Sequence, residues 1–169
     1  GQFIDLRRTP RGHGQSYAYN RGAEVASGQY FCFLDDDDFW TDPGHLARAH
    51  AALTRPGRAA ETYFANQKAF IGDAPVERAL WLESLESLIH GKLRPDPEGI
   101  YEVGIEDLMR CEGFGHVNVS IVHRDLYARI GGFDENIRYE NDRDFYHRNV
   151  DNSRGILYCP RIVSRHTVP

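Results

Sequence analysis

The stretch GQYFCFLDDDDFWTDPGHL, residues 28–46, constrains this chain more than any other. An apolar run over residues 29–35 meets four consecutive aspartates, and a helix start follows. Such a run, short and bounded by turn signals, reads as a strand buried on both faces. Four adjacent carboxylates repel one another, so the arrangement costs stability unless water or a cation screens it. In open α/β sheets ligands sit in the crevice beyond the carboxyl ends of the strands, and Asp35 to Asp38 fall at that edge. Residues two apart in an extended segment point the same way. This predicts Asp35 and Asp37 facing one ligand, with Asp36 and Asp38 facing elsewhere. Two convergent carboxylates suit Mg²⁺ or Mn²⁺, hard cations that share coordination with substrate phosphates. The competing reading is an acidic loop that caps the next helix, since aspartate favours helix N-termini.

The length of 169 residues suits one domain with a real core, and 41% hydrophobic residues mark it as globular. A net charge of −5 argues against a general nucleic-acid binder, which needs a basic face. No apolar run is long enough for a transmembrane helix, and the N-terminus lacks a signal peptide's pattern. The three cysteines lack metal-ligand spacing. Cys32 and Cys159 lie in apolar runs, which predicts buried, reduced thiols and a cytoplasmic setting.

Residues 2–6 read as a short strand, 7–16 as a glycine- and arginine-rich loop, and 16–27 as a helix closed by Gly28. Thr41 or Asp42 caps a helix with Pro43 in its first turn. Residues 61–71 are β-rich, and 76–91 have helical apolar spacing. The spacing further predicts a short helix from 105, a strand over 116–123, helices over 124–132 and 140–151, and a closing strand over 155–166. Strands alternating with helices read as α/β, in a single domain over 1–169. An EF-hand does not fit, because its glycine and distal glutamate are misplaced. A dinucleotide fingerprint fails too: Gly12 and Gly14 are followed by Tyr17 where a third glycine belongs.

Three blocks in order carry a resemblance. SYAYNRGAEVASGQYFCFLDDDDFW resembles the segment of inverting, GT-A-fold glycosyltransferases of family 2 that runs through an Asn-x-Gly helix into an Asp-x-Asp strand end. VNVSIVHRDLYARIGGFDENIRYENDRDFYHR is similar to that family's acceptor-side block, and CPRIVSRHTVP to its closing strand. The resemblance implies a GT-A, Rossmann-like, mixed and mainly parallel sheet flanked by helices. It also implies a partial domain, truncated at its N-terminal side, because the strand–helix units that hold the nucleotide would precede residue 1.

By resemblance, Asp35 and Asp37 are the Asp-x-Asp pair that meets the nucleotide and the Mn²⁺ or Mg²⁺, and His166 completes the metal site. Arg165, next to His166, is a candidate to pair with phosphate oxygens, the alternative being a solvated arginine. Asp142 stands at the catalytic-base position, with Glu140 in reserve, and Asn141 departs from the family's usual glutamate there. His116 and Asn118 fall on the acceptor side, while Trp40 and Trp81 suit packing. The implied reaction moves a sugar from a nucleotide-diphosphate sugar to a hydroxyl acceptor such as a glycan or lipid, with inversion. A lipid-linked acceptor would bring the protein to the cytoplasmic face of a membrane without an anchor in this segment. The rival expectation is a non-catalytic remnant that binds carbohydrate or a protein partner. A nucleotidyltransferase would need a phosphate-cradling loop, for which RRTPRGHG is a weak match.

Overall fold

A computed structural model describes residues 2–6 and 12–168. Its elements are α1 (Gln15–Val25), β1 (Tyr30–Cys32), β2 (Phe39–Trp40), α2 (His45–Leu53), β3 (Thr62–Ile71), β4 (Ala74–Pro75), α3 (Leu85–Ile89), β5 (Tyr101–Val103), α4 (Ile105–Leu108), β6 (Ser120–His123), α5 (Arg124–Arg129), α6 (Asn141–Asn152) and β7 (Ile156–Thr167). Single 3₁₀ turns, Leu82–Ser84 and Val117–Val119, precede α3 and β6.

One mixed sheet runs β1-β6-β3-β7-β2, with β4 added to β3 and β5 to β7. The two long strands β3 and β7 pair in parallel from Thr62↔Ile156 to Phe70↔Thr167, with irregular register around Asn66. All other pairings in the described sheet are antiparallel, so the expectation of a mainly parallel sheet is corrected. The alternation of strands and helices fixes the class but not strand direction, because neighbours in space come from distant sequence. Tyr30, for example, pairs with His123.

Side chains alternate along β3, so the sheet buries both faces. Tyr63 and Ala65 meet Ala49, Ala52 and Leu53 of α2 on one side, together with Leu157, Cys159 and Val163. Phe64 meets Leu82, Leu85, Ile89, Tyr146 and Tyr158 on the other. A third cluster joins α1, α5 and α6 through Ala23, Leu126, Tyr127, Phe133 and Phe145, with Phe31 from β1.

Several local expectations change. The apolar run at 29–35 contributes only three residues of strand, at one end of the sheet, with Phe31 buried and Cys32 exposed. It is therefore not buried on both faces here, and of the two cysteines expected to be buried only Cys159 is. Among the described residues, 2–6 form no strand, and Phe3 is solvent-exposed. Residues 7–11 of the arginine-rich loop lie outside the described residues. The helix expected over 76–91 shrinks to the 3₁₀ turn and α3, because Trp81 takes a non-helical backbone and Glu83 accepts from the Leu80 and Trp81 amides. Helix α2 begins after Asp42, whose side chain accepts from the Gly44 amide at 2.8 Å.

Candidate active site

The aspartate run is a turn, not an extended segment. The Asp38 amide donates to the Asp35 carbonyl at 3.2 Å, which closes a four-residue turn with Asp36 and Asp37 at its exposed tip. Two-residue alternation therefore stops at Asp35, and the expected pairing of Asp35 with Asp37 gives way to a pairing of the turn's ends. Asp35 is half-buried, and burial raises its pKa. Tyr19 of α1 donates its hydroxyl to the Asp35 carboxylate; burial and that bond hold the Tyr19 pKa far above its usual value. Asp37 lies outside the resulting cluster, close enough for its charge to raise the Asp35 pKa further.

Asp38, expected to face elsewhere, is the anchor. Its side chain is fully buried and takes three donors: Asn118 Nδ2 at 2.5 Å, His166 Nδ1 at 2.5 Å and the Thr167 amide at 3.0 Å. Asn118 also accepts from the Asp35 amide at 2.9 Å. With its oxygen and nitrogen both committed and 1% of its surface exposed, Asn118 is a bracket for the turn rather than an acceptor contact, which corrects that expectation. Trp40 donates to the Asn118 carbonyl at 2.9 Å and packs on His45, so it supports the same bracket from the side.

His166 Nδ1 is bonded to Asp38, which leaves Nε2 with its lone pair. Metal-binding histidines are commonly oriented by such a carboxylate. Asp35, His116 and His166 each bring one ligand atom within 4.8 Å of the others. His116 fits differently. Its Nδ1 accepts from the Asn118 amide at 3.3 Å, so the neutral ring carries its proton on Nε2, 3.5 Å from Asp142 Oδ2. Burial pushes the His116 pKa down to about 3, keeping the ring neutral. Trp81 packs edge-on against both histidines, with ring centroids 5.5 and 5.3 Å away. It has 5% of its surface exposed, so it is wall, not sugar platform.

Arg165 points away from this group. Its guanidinium donates to the Gly72 carbonyl at 2.6 Å, meets Asp73 at 3.3 Å and stacks on Phe70. Alternation along β7 puts it opposite His166, and the expected phosphate contact is corrected on that ground.

Asp142 lies in the first turn of α6, half-buried, with burial raising its pKa and the Arg143 amide, donating at 2.8 Å, lowering it. Glu140 is exposed and holds a left-handed backbone, φ 54°. Asn20, in the Asn-x-Gly stretch, donates to the Phe133 carbonyl and accepts from the Phe133 amide, both at 2.9 Å, and accepts from Tyr127. Arg148 of α6 donates to the Ile130 and Gly132 carbonyls. These bonds fasten the Gly131–Gly132 turn, both residues at positive φ, beneath α6. The two glycines serve the turn.

A cavity of about 220 Å³ joins the parts. Tyr19, Asp35, His116, His166, Asn141 and Asp142 are among the residues that line it. Tyr19 and Asp38 escaped sequence reasoning. The signal for Asp38 was its contiguity with Phe39–Trp40, which pairs it to the end of β7.

Glycosyl transferase family 2 matches residues 1–104 by its sequence profile. The chain belongs to that family. No curated protein sequence matches it. Among solved structures, S. aureus TarS 1-349 in complex with UDP superposes with a TM-score of 0.66 at 17% identity, over 92% of this chain and 40% of that one. The same protein in complex with UDP-GlcNAc gives 0.68 at 16% identity, over 93% and 40%. The shared fold is GT-A. The chain thus spans 40% of the length of those structures. Among the described residues no helix is long and apolar enough to cross a membrane.

Proposed function

We propose that this domain carries the metal and acceptor side of an inverting glycosyltransferase using a nucleotide-diphosphate sugar. The observation that carries the reading is that one cavity is lined by Asp35, His166 and Asp142 together. Family membership and TarS neighbours that bind UDP and UDP-GlcNAc support a nucleotide-sugar donor.

The donor set fits a divalent cation. Asp35 offers oxygen, and His166 offers an imidazole nitrogen already oriented by Asp38. Of the two metals expected, an imidazole ligand favours Mn²⁺ over the oxygen-demanding Mg²⁺. Asp37, at the exposed tip of the turn, is a reserve carboxylate. When bound, the cation neutralises charge on the departing diphosphate.

Asp142 accepts the proton of the acceptor hydroxyl while that oxygen attacks the anomeric carbon. The bond from that carbon to the diphosphate breaks on the opposite face, and the configuration inverts. Burial, the first cause of the raised Asp142 pKa, makes it a stronger base than an exposed aspartate. The neutral His116 faces Asp142 with its N–H, which holds the carboxylate without adding charge. The acceptor is a hydroxyl-bearing molecule, and docking at a membrane face is compatible with this chemistry.

The test pairs calorimetry of a nucleotide-sugar panel, with and without Mn²⁺, with turnover of Asp142→Asn. Turnover should fall about 10²–10⁴-fold, while Mn²⁺-dependent nucleotide binding persists. Undiminished transfer refutes the base assignment. Carbohydrate binding indifferent to chelator, with no donor turnover, would favour the non-catalytic alternative.

A further inference from the structure

The backbone of Asp35 is pinned on both sides. Its amide donates to Asn118 Oδ1 at 2.9 Å, and its carbonyl accepts from the Asp38 amide at 3.2 Å. Rotation of the side chain is the freedom left, and Tyr19 sets it by donating its hydroxyl to Oδ1. The phenol is itself fixed. It belongs to α1, and its ring packs on Phe33 and Phe133 with centroids 5.2 and 4.8 Å away. Tyr19 also lines the cavity that Asp35 and His166 line.

Cations differ in what they ask of a carboxylate. Ca²⁺ takes about 6–8 oxygen ligands and often grips both oxygens of one aspartate. Mn²⁺ is content with an octahedral set, to which a carboxylate can give a single oxygen. The Tyr19 proton lies on Asp35 Oδ1, drawing on the charge and the space that a second metal bond would use. Oδ2 accepts no hydrogen bond among the described residues. Asp35 thus presents one uncommitted oxygen, a supply that suits Mn²⁺ and falls short for Ca²⁺.

We propose that Tyr19 is a positioning residue that holds Asp35 to one-oxygen ligation and so makes the cation site select Mn²⁺ against Ca²⁺. The inference rests on the reading of Asp35 and His166 as metal ligands. The test is Tyr19→Phe in the full-length protein, which removes the hydroxyl and keeps the ring packing. Bound Mn²⁺ is counted by electron paramagnetic resonance with the metal alone, and Ca²⁺ is read by its displacement of Mn²⁺. No turnover enters the measurement.

Mn²⁺ affinity should fall about tenfold in the variant, as when a ligating carboxylate loses the partner that orients it. Ca²⁺ affinity should hold or rise, because both Asp35 oxygens become available. The preference for Mn²⁺ over Ca²⁺ should therefore shrink about tenfold or more. A purely structural role for Tyr19 would weaken both ions together, and partial misfolding cancels in the ratio. A preference that stays equal or grows in Tyr19→Phe, loss of both ions together, or Ca²⁺ that displaces Mn²⁺ from neither form overturns the proposal. Wild-type protein that takes up no Mn²⁺ removes the metal reading and this inference with it. Mn²⁺ uptake with unaltered selectivity in the variant removes the Tyr19 assignment alone.

Discussion

Replacing Asp38 by alanine tests the bracket that holds the aspartate turn. The substitution removes a fully buried carboxylate that accepts from Asn118, His166 and the Thr167 amide. Of the three donors Asn118 is buried, while the contacts from His166 and the Thr167 amide are part-buried; each donor left without its partner costs about 1–3 kcal/mol. For a domain of this size each kcal/mol lowers the midpoint by about 2–4 °C, so a loss of ~4 kcal/mol corresponds to roughly 8–16 °C. Asp38→Asn keeps the volume and one acceptor and should lose about half as much. Urea unfolding followed by tryptophan fluorescence suits the question, because Trp40 bonds to Asn118 and Trp81 packs against His166. The slope m should stay constant while the midpoint falls. Mn²⁺ affinity should fall about 10–100-fold, since His166 loses the group that fixes its tautomer. A stability loss below about 1 kcal/mol for the alanine variant would refute the reasoning, because three donors cannot be orphaned so cheaply.

Other outcomes follow from buried groups. His45 is 1% exposed with both ring nitrogens unpartnered among the described residues, and burial lowers its pKa from 6.5 to about 4. The unfolded chain therefore binds the extra proton first, and stability present above pH 6.5 is lost as pH falls toward 4. At pH 5 this amounts to about 2 kcal/mol. His45→Phe should flatten the difference in urea midpoint between pH 7 and pH 5; an unchanged difference would place the acid sensitivity elsewhere. A Cβ on Gly113 would lie 2.0 Å from the Trp81 carbonyl oxygen, a backbone contact that cannot rotate away. Gly113→Ala should cost about 1–3 kcal/mol, and an unchanged thermal midpoint would contradict that. The acidic limb of the transfer rate should lie above the ordinary aspartate range, because burial raises the Asp142 pKa. Arg143→Ala, which removes a charge that lowers it, should move the limb higher still; a downward move would contradict the electrostatics.

Helices with long polar and apolar alternation were legible in the sequence. The helix expected over 140–151 is α6, and the closing strand is β7 within a residue or two. What the sequence hid is mainly non-local. The apolar 29–35 run looked central, yet only Tyr30–Cys32 pair, and with a strand ninety residues later, antiparallel. The four aspartates point to the candidate site but not to its wiring. Alternation assumed extension, whereas the Asp35–Asp38 bond bends the chain and turns Asp38 inward. Likewise the resemblance puts Asn118 on the acceptor side, next to a glycine-rich loop. Its burial becomes visible only when the Asp35 amide and Asp38 carboxylate are seen on its two ends. Tyr19 was invisible for the same reason: its partner is sixteen residues away across a helix–strand boundary.

The turn closed between Asp35 and Asp38 gives four identical letters unequal standing. Its two ends are spoken for by the interior, and its two middle residues face water. Shortening the run by one aspartate would leave composition almost untouched, yet three aspartates cannot occupy both ends of a four-residue turn whose ends are bonded to Tyr19 and to His166. A stretch that looks like low-complexity padding thus has a fixed count, and its length is as much a part of the site as its chemistry.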